Sequence, residues 1–204
     1  MNDVFFFGEN HLRIILPEQR KKIRKPIPIQ FENENKNENE KQIKQILSGE
    51  FATIFLFKNG KAIEYLRYSK QNPQKIQIEE NIQKVTVGSS NEAILTTEGN
   101  VLLLDDSESQ SIDNFKSISS LIEDTKDRII QDVITGANSI YLLTSNQNAY
   151  GIGSNFNGQL GFDSFYNTEK PILMMKNVSK IFSGNLFNSC FSFKFKSRII
   201  WMRI

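Results

Sequence analysis

The chain has 204 residues, with 25 basic and 23 acidic side chains, one His, one Cys and one Trp. A net charge of +2 is too small to announce nucleic acid or a membrane surface, and a lone cysteine, Cys190, can close no internal disulfide and build no thiolate metal cage. The single histidine, His11, removes most metal sites and most Ser-His or Cys-His nucleophiles, so no catalytic residue, cofactor or metal is expected.

The chain opens on Val4-Phe5-Phe6-Phe7, which closes at Gly8-Glu9-Asn10 and is too short for a signal-peptide core. No stretch nears the roughly 18 apolar residues needed to span a bilayer, so the expected setting is the cytoplasm, with the nucleus as alternative. Next comes a basic run, Arg20, Lys21, Lys22, Arg24 and Lys25, interrupted by Ile23 and followed by Pro26. It reads either as a nuclear-import or phosphate-contacting patch, or as a solvated loop; basic runs are common in loops, which favours the second. Residues 32–41 are a polar low-complexity insertion, Glu-Asn-Glu-Asn-Lys-Asn-Glu-Asn-Glu-Lys.

From there a repeat takes over. Ile46-Leu47-Ser48-Gly49, Val85-Thr86-Val87-Gly88, Val133-Ile134-Thr135-Gly136 and Ile181-Phe182-Ser183-Gly184 share one pattern, with glycines 39, 48 and 48 residues apart. The first three glycines are each followed by an apolar run, at 54–57, 93–95 and 140–143. A turn signal sits 11 residues past each glycine, at Gly60, Gly99 and Gln147, and a further apolar run follows. Short runs of Ile, Val, Leu and aromatics bounded by Gly, Asn and Ser are strand and hairpin chemistry. The recurring glycine reads as a bend or a close backbone approach. Units of this size cannot bury both faces alone, but stacked face to face they can, as in a β-propeller or solenoid. Between the second and third copies, Ile112, Phe115, Ile118 and Ile122 are spaced for a short helix or a decorated loop. Asp105, Asp106, Glu108 and Asp124 there lack ligand spacing and read as a surface loop.

The most informative stretch is Ala149-Tyr150-Gly151-Ile152-Gly153-Ser154-Asn155-Phe156-Asn157-Gly158-Gln159-Leu160-Gly161, followed by Pro171 and by Ile181 to Gly184. The Gly-Gln-Leu-Gly core lacks the Lys-Ser/Thr of a phosphate cradle, and Gly151-Ile152-Gly153 is only a fragment of a dinucleotide fingerprint. Instead, Tyr150, Gly153, Asn155, Gly158, Gln159, Leu160, Gly161, Pro171 and Gly184 closely resemble the repeat of the RCC1 (regulator of chromosome condensation) family. The opening around Gly8 looks like a degenerate copy, and the middle copies keep the glycine and hairpin but lose the Gly-x-Asn turn.

This resemblance implies an all-β chain: a partial RCC1-like β-propeller of about four blades over residues 1–190, where the family usually has about seven. It assigns Gly8, Gly49, Gly88, Gly136, Gly153, Asn155, Gly158, Gln159, Leu160, Gly161 and Gly184 a structural role in the repeats. After Cys190 the strand-turn-strand pattern is expected to give way, and the tail 191–204, with Trp201, reads as out of frame in a coding sequence cut short. The resemblance further implies a non-enzymatic module that binds a protein partner, as an adaptor in signalling or ubiquitin pathways. The alternative is a guanine-nucleotide exchange factor for a Ran-like small GTPase. Nucleic acid and membrane are not expected partners.

Overall fold

Every four to six residues the sequence interrupts a β-branched or aromatic run with a turn residue, and the computed structural model has the corresponding architecture of short antiparallel strands. It describes residues 5–9, 22–28, 42–49, 52–66, 74–76, 78, 80–89, 91–104, 115–163, 165–184, 191–194 and 198–201. Among these no helix is long and apolar enough to cross a membrane. The polar insertion 32–41 and His11, Arg20, Lys21, Asp105, Asp106, Glu108 and Cys190 lie outside the described residues.

The chain divides into two compact units, Met1–Ile78 and Glu79–Ile204. In the first, β1 (Phe5–Glu9) pairs with β2 (Lys22–Pro28), setting Glu9 opposite Lys22 and Gly8 opposite Ile23. The favoured loop reading of the basic run is therefore corrected from Lys22 onward. Lys22, Arg24 and Lys25 belong to a strand because Phe5, Phe6, Gly8 and Glu9 offer it a partner at long sequence separation, which a local reading cannot see. The same unit holds a four-stranded meander: β3 (Ile43–Ser48), β4 (Ala52–Phe57), β5 (Ala62–Leu66) and β6 (Gln74–Ile76).

The second unit holds two more four-stranded meanders and a three-stranded sheet. The first comprises β7 (Ile82–Val87), β8 (Glu92–Thr96), β9 (Val101–Leu104) and β10 (Phe115–Ser117). The second comprises β11 (Ile130–Thr135), β12 (Ser139–Thr144), β13 (Ala149–Gly153) and β14 (Thr168–Met175). Then β15 (Ile181–Phe182) pairs with β16 (Phe191–Lys194), which pairs with β17 (Arg198–Trp201). Residues 191–194 and 198–201, in the tail that reads as out of frame, are thus in strands. The helix considered for 112–122 is also corrected. Phe115–Ser117 joins the sheet edge beside β9, Ile118 N–H extends the pairing to Val101 O at 2.9 Å, and only Ser119–Leu121 make a 3-10 turn. This strand-plus-turn sends both Ile118 and Ile122 into the core, satisfying the same apolar spacing a helix would have used.

The three meanders share one hydrogen-bond frame. Gly49, Gly88 and Gly136 donate their N–H to the carbonyls of Ala52, Asn91 and Ser139 at 2.8, 2.7 and 2.7 Å. The following hairpins close through Gly60, Gly99 and Gln147, whose N–H groups reach Phe57, Thr96 and Thr144 at 3.1, 3.1 and 2.9 Å. Lys58, Thr97 and Ser145 then bond back to Gln42, Asn81 and Ile129 at 2.8, 2.9 and 2.9 Å. The first strand of each meander carries a register shift at the same place, between Ile43 and Gln45, Ile82 and Lys84, and Ile130 and Asp132. Such bulges re-aim the side chains that follow them.

Within the second unit, successive sheets stack. All six residues of β12 are buried, with Ile140 and Leu142 in one apolar cluster and Tyr141 and Leu143 in another. A strand buried on both faces needs a neighbour on each side. The first cluster joins it to Ala93, Leu95, Val101, Ile118 and Ile122 of the preceding repeat, the second to Val178 and Ile181 of the following one. Polar contacts between the first strands and turns of successive repeats lock the stack. Lys84 Nζ meets Asp132 Oδ1 at 2.6 Å, the Thr86 and Thr135 hydroxyls are bonded at 2.8 Å, and Asn91 Nδ2 donates to Ser139 O at 3.2 Å. The backbones approach so closely that a Cβ on Gly88 would collide with the Gly136 carbonyl oxygen. At the other end, the hairpin carbonyls of Gly99 and Gln147 accept from Ile130 and Val178 N–H at 2.9 and 2.7 Å. Each hairpin tip is thereby tied to the start of the next repeat.

Candidate functional site

The residues singled out from sequence fall into separate groups. Gly88 and Gly136 meet at the junction of two sheets, and Gly184 follows Ser183, whose Oγ would lie 3.0 Å from a Cβ on Gly136. Gly49 closes the β3–β4 turn and Gly8 sits in β1 at a register shift, both in the first unit. Gly153, Asn155, Gly158, Gln159, Leu160 and Gly161 come together in the loop between β13 and β14.

That loop is built around buried side chains. Asn155 is fully buried and its Oδ1 accepts from Leu160 N–H at 2.8 Å, while Leu160 itself packs with Tyr141, Val178 and Ile181. Gln159 Oε1 accepts from Asn157 N–H at 2.9 Å, and the Gln159 carbonyl accepts from Tyr141 Oη at 3.2 Å. Gly158 and Gly161, with φ of 71° and 73°, turn the chain twice; their N–H groups bond to Asn155 O and Gly158 O at 2.9 Å each. The N–H groups of Asn157, Gly158, Leu160 and Gly161 are therefore all committed within the loop. A phosphate cradle needs several convergent free N–H groups, and this turn does not offer them.

The pinned turn carries Phe156, and the same β13–β14 connection carries Phe165 and Tyr166, all three exposed to solvent. Phe156 and Phe165 are each 65 % exposed and Tyr166 78 %. Phe165 lies over the turn, with Cε1 4.0 Å from the point where a Cβ on Gly158 would stand. Sequence reasoning did not pick out this ridge. The available signal was three aromatics within a turn-rich loop at spacings that fit neither a strand face nor a helix face.

A second cluster also went unread. Thr125–Asp127 form a 3-10 turn capped by Asp124, whose Oδ1 accepts from Lys126 N–H at 3.0 Å. The turn delivers the buried Asp127 carboxylate to four donors. Tyr150 Oη and Asn148 Nδ2 reach Oδ2 at 2.6 and 2.7 Å, and Asn146 Nδ2 and Thr144 Oγ1 reach Oδ1 at 3.1 and 3.5 Å. Burial alone would raise the Asp127 pKa, but these hydrogen bonds outweigh it and hold the carboxyl below its ordinary 3.8. Burial, and then the bond to Asp127, push the Tyr150 phenol well above its usual value. The cluster is a staple between the segment entering β11 and the β12–β13 hairpin. Its counterpart one repeat earlier is Asn100 Nδ2 bonding both Glu80 carboxylate oxygens at 3.0 and 3.1 Å.

Beside it, an open groove of about 750 Å³ runs along β14, with Tyr150 and Pro171 buried in its lining and Leu121 among the residues that line it. Among the described residues, no group of three His, Cys, Asp or Glu side chains is placed to hold a metal ion.

No family model and no curated protein matches the chain. Solved structures do match it. Human WBSCR16 superposes with a TM-score of 0.68 at 12 % identity, over 89 % of this chain and 50 % of that one. Yeast RCC1 (Prp20), bound to Kap60, gives 0.67 at 16 % identity, over 97 % and 51 %. Prp20p from Saccharomyces cerevisiae, described with its binding properties to Gsp1p and histones, gives 0.64 at 15 % identity, over 90 % and 49 %. The chain spans about half the length of these structures. With consecutive four-stranded meanders joined by a recurrent glycine frame, it has the RCC1-like β-propeller repeat fold, in the form of a partial propeller.

Proposed function

We propose that this chain is a non-enzymatic protein-interaction module, acting in the cytoplasm or nucleus as an adaptor in signalling or ubiquitin pathways. The observation that carries the reading is the exposed aromatic ridge of Phe156, Phe165 and Tyr166 on the β13–β14 loop, whose turn at 155–161 is held by its own hydrogen bonds. Large exposed aromatics are the side chains that most often anchor protein interfaces. A loop already held in one conformation loses little further entropy when it binds. Rigid repeats carrying recognition on their loops are the usual division of labour in such folds. A photo-crosslinking residue placed at Phe156 should trap a protein partner. The triple variant Phe156→Ser, Phe165→Ser, Tyr166→Ser should lose that partner while melting at the same temperature. Retention of the partner by the triple variant would remove the basis of this reading.

A second reading has one observation in its favour: among the similar structures is Prp20p, described with its binding to Gsp1p. On that reading the chain accelerates nucleotide release from a Ran-like small GTPase by stabilising the empty form. Release of fluorescent GDP from such GTPases discriminates the two. Acceleration at substoichiometric amounts of this chain would replace the adaptor reading.

A further inference from the structure

The groove along β14 has a chemistry of its own. Glu123, Asp124 and Glu169 stand exposed on its rim against a single Lys170, and Leu121, Ile172 and Leu173 supply apolar wall. Behind Tyr150 the buried Asp127 carboxylate, 2.6 Å from the phenol oxygen, adds a fixed negative charge. Among the described residues β14 is the terminal strand of its sheet and pairs only with β13, so the groove follows the edge strand of that sheet, eight residues long.

We propose that this groove receives an extended peptide segment of a protein partner in which aliphatic residues alternate with Lys or Arg. An extended chain presents successive side chains to opposite sides. One set meets Leu121 and Leu173, which shares the Tyr150 face of β14, and the other meets the rim carboxylates. Carboxylates that outnumber the one ammonium select against acidic segments as well as for basic ones. Pro171 lacks an N–H and interrupts the edge near its middle. Pairing is thereby confined to a short peptide, and indiscriminate edge-to-edge association of copies is hindered. The site rests on the interaction reading only in requiring a protein partner; it shares no residue with the aromatic ridge.

The test is fluorescence anisotropy on the full chain with a labelled peptide of sequence Lys-Leu-Lys-Val-Arg-Leu-Lys, beside a mirror peptide carrying Glu at each basic position. The basic peptide should bind, weaken as salt rises, and lose about tenfold or more in affinity on the variant Glu123→Lys, Glu169→Lys. That variant should instead gain affinity for the acidic peptide. Both glutamates are exposed, so its melting temperature should match the parent; the single variant Glu169→Gln, with a smaller loss, serves if it does not. Equal binding of the two peptides, or unchanged binding of the basic peptide to the reversed variant, overturns the proposal. The triple ridge variant should bind the basic peptide as the parent does, and loss of binding there would also overturn the separate site. A ridge partner retained with no peptide binding defeats the groove alone. Peptide binding with no ridge partner defeats the ridge reading alone.

Discussion

The β7–β10 and β11–β14 meanders are one design executed with different amounts of side-chain chemistry. Their hydrogen-bond frames coincide, down to the register shift in the first strand and the hairpin bond three residues long. Yet the earlier meander latches its hairpin with a single Glu80–Asn100 pair, whereas the later one uses Asp127 with four donors. The hairpin turn of the first is Gly99 and of the second Gln147, in the same positive-φ conformation. The lesson is that main-chain hydrogen bonds ask little of sequence beyond apolar alternation and a permissive turn, so a copy can lose its motif and keep its fold. The Gly-x-Asn and Gly-Gln-Leu-Gly residues are demanding because there the loop itself supplies core, through Leu160 and Asn155.

The comparison can be broken most forcefully in that loop. Leu160→Ala should lower unfolding free energy by about 3 kcal/mol, because a fully buried side chain leaves a cavity between Tyr141, Val178 and Ile181. Asn155→Ala should follow closely, at about 2 kcal/mol, by stranding the buried Leu160 N–H. Urea titrations measure both, and a change under about 0.5 kcal/mol would mean the loop is not part of the core.

Next in size is the staple. Asp127→Asn should cost roughly 1–3 kcal/mol at neutral pH. Its pH dependence has a fixed sign. The folded-state pKa lies below the ordinary 3.8, so the carboxylate's contribution is fully present above that value and is lost as pH falls through the lower folded-state value. The gap between parent and variant should therefore close on acidification, and a gap that widens would contradict the hydrogen-bonded carboxylate.

Exchanging the two hairpin residues sharpens the comparison further. Gly99→Gln should destabilise by roughly 1–2 kcal/mol, since φ there is 85° and a Cβ would stand 2.9 Å from Ile129 Cγ2. Gln147→Gly should change stability by under about 1 kcal/mol in the favourable direction, relief of strain being offset partly by a freer unfolded chain. Melting curves of the two variants should move in opposite directions. The smallest effect belongs to the sheet junction. Lys84→Met removes a partly buried ion pair and should cost at most about 1 kcal/mol, less in high salt.

Much of this was legible in the chain itself. The glycine at 49, 88 and 136 and the turn 11 residues later mark the first two turns of each meander: positive φ at Gly60, Gly99 and Gln147 demands a permissive residue, and Gly88 leaves room for the neighbouring backbone. What could not be read was anything held by a partner distant in sequence. The placing of Lys22, Arg24 and Lys25 in β2 depends on β1, and the strand at Phe115–Ser117 depends on an open edge beside β9. The aromatic ridge was missed for the opposite reason: Phe156, Phe165 and Tyr166 look like core residues in composition, and only the packing of the described residues shows them exposed.

By itself, then, the sequence determined the inner strands of the repeats, their tight turns and their repetition, since alternation and turn chemistry are local and act before the chain is compact. Tertiary structure alone decided which apolar residues stayed outside, and which buried acid found its donors. It also decided where the β14 edge and its acidic rim stand open. Each of these depends on surfaces brought together across whole repeats, and burial and electrostatic fields belong to that assembled arrangement rather than to any single segment.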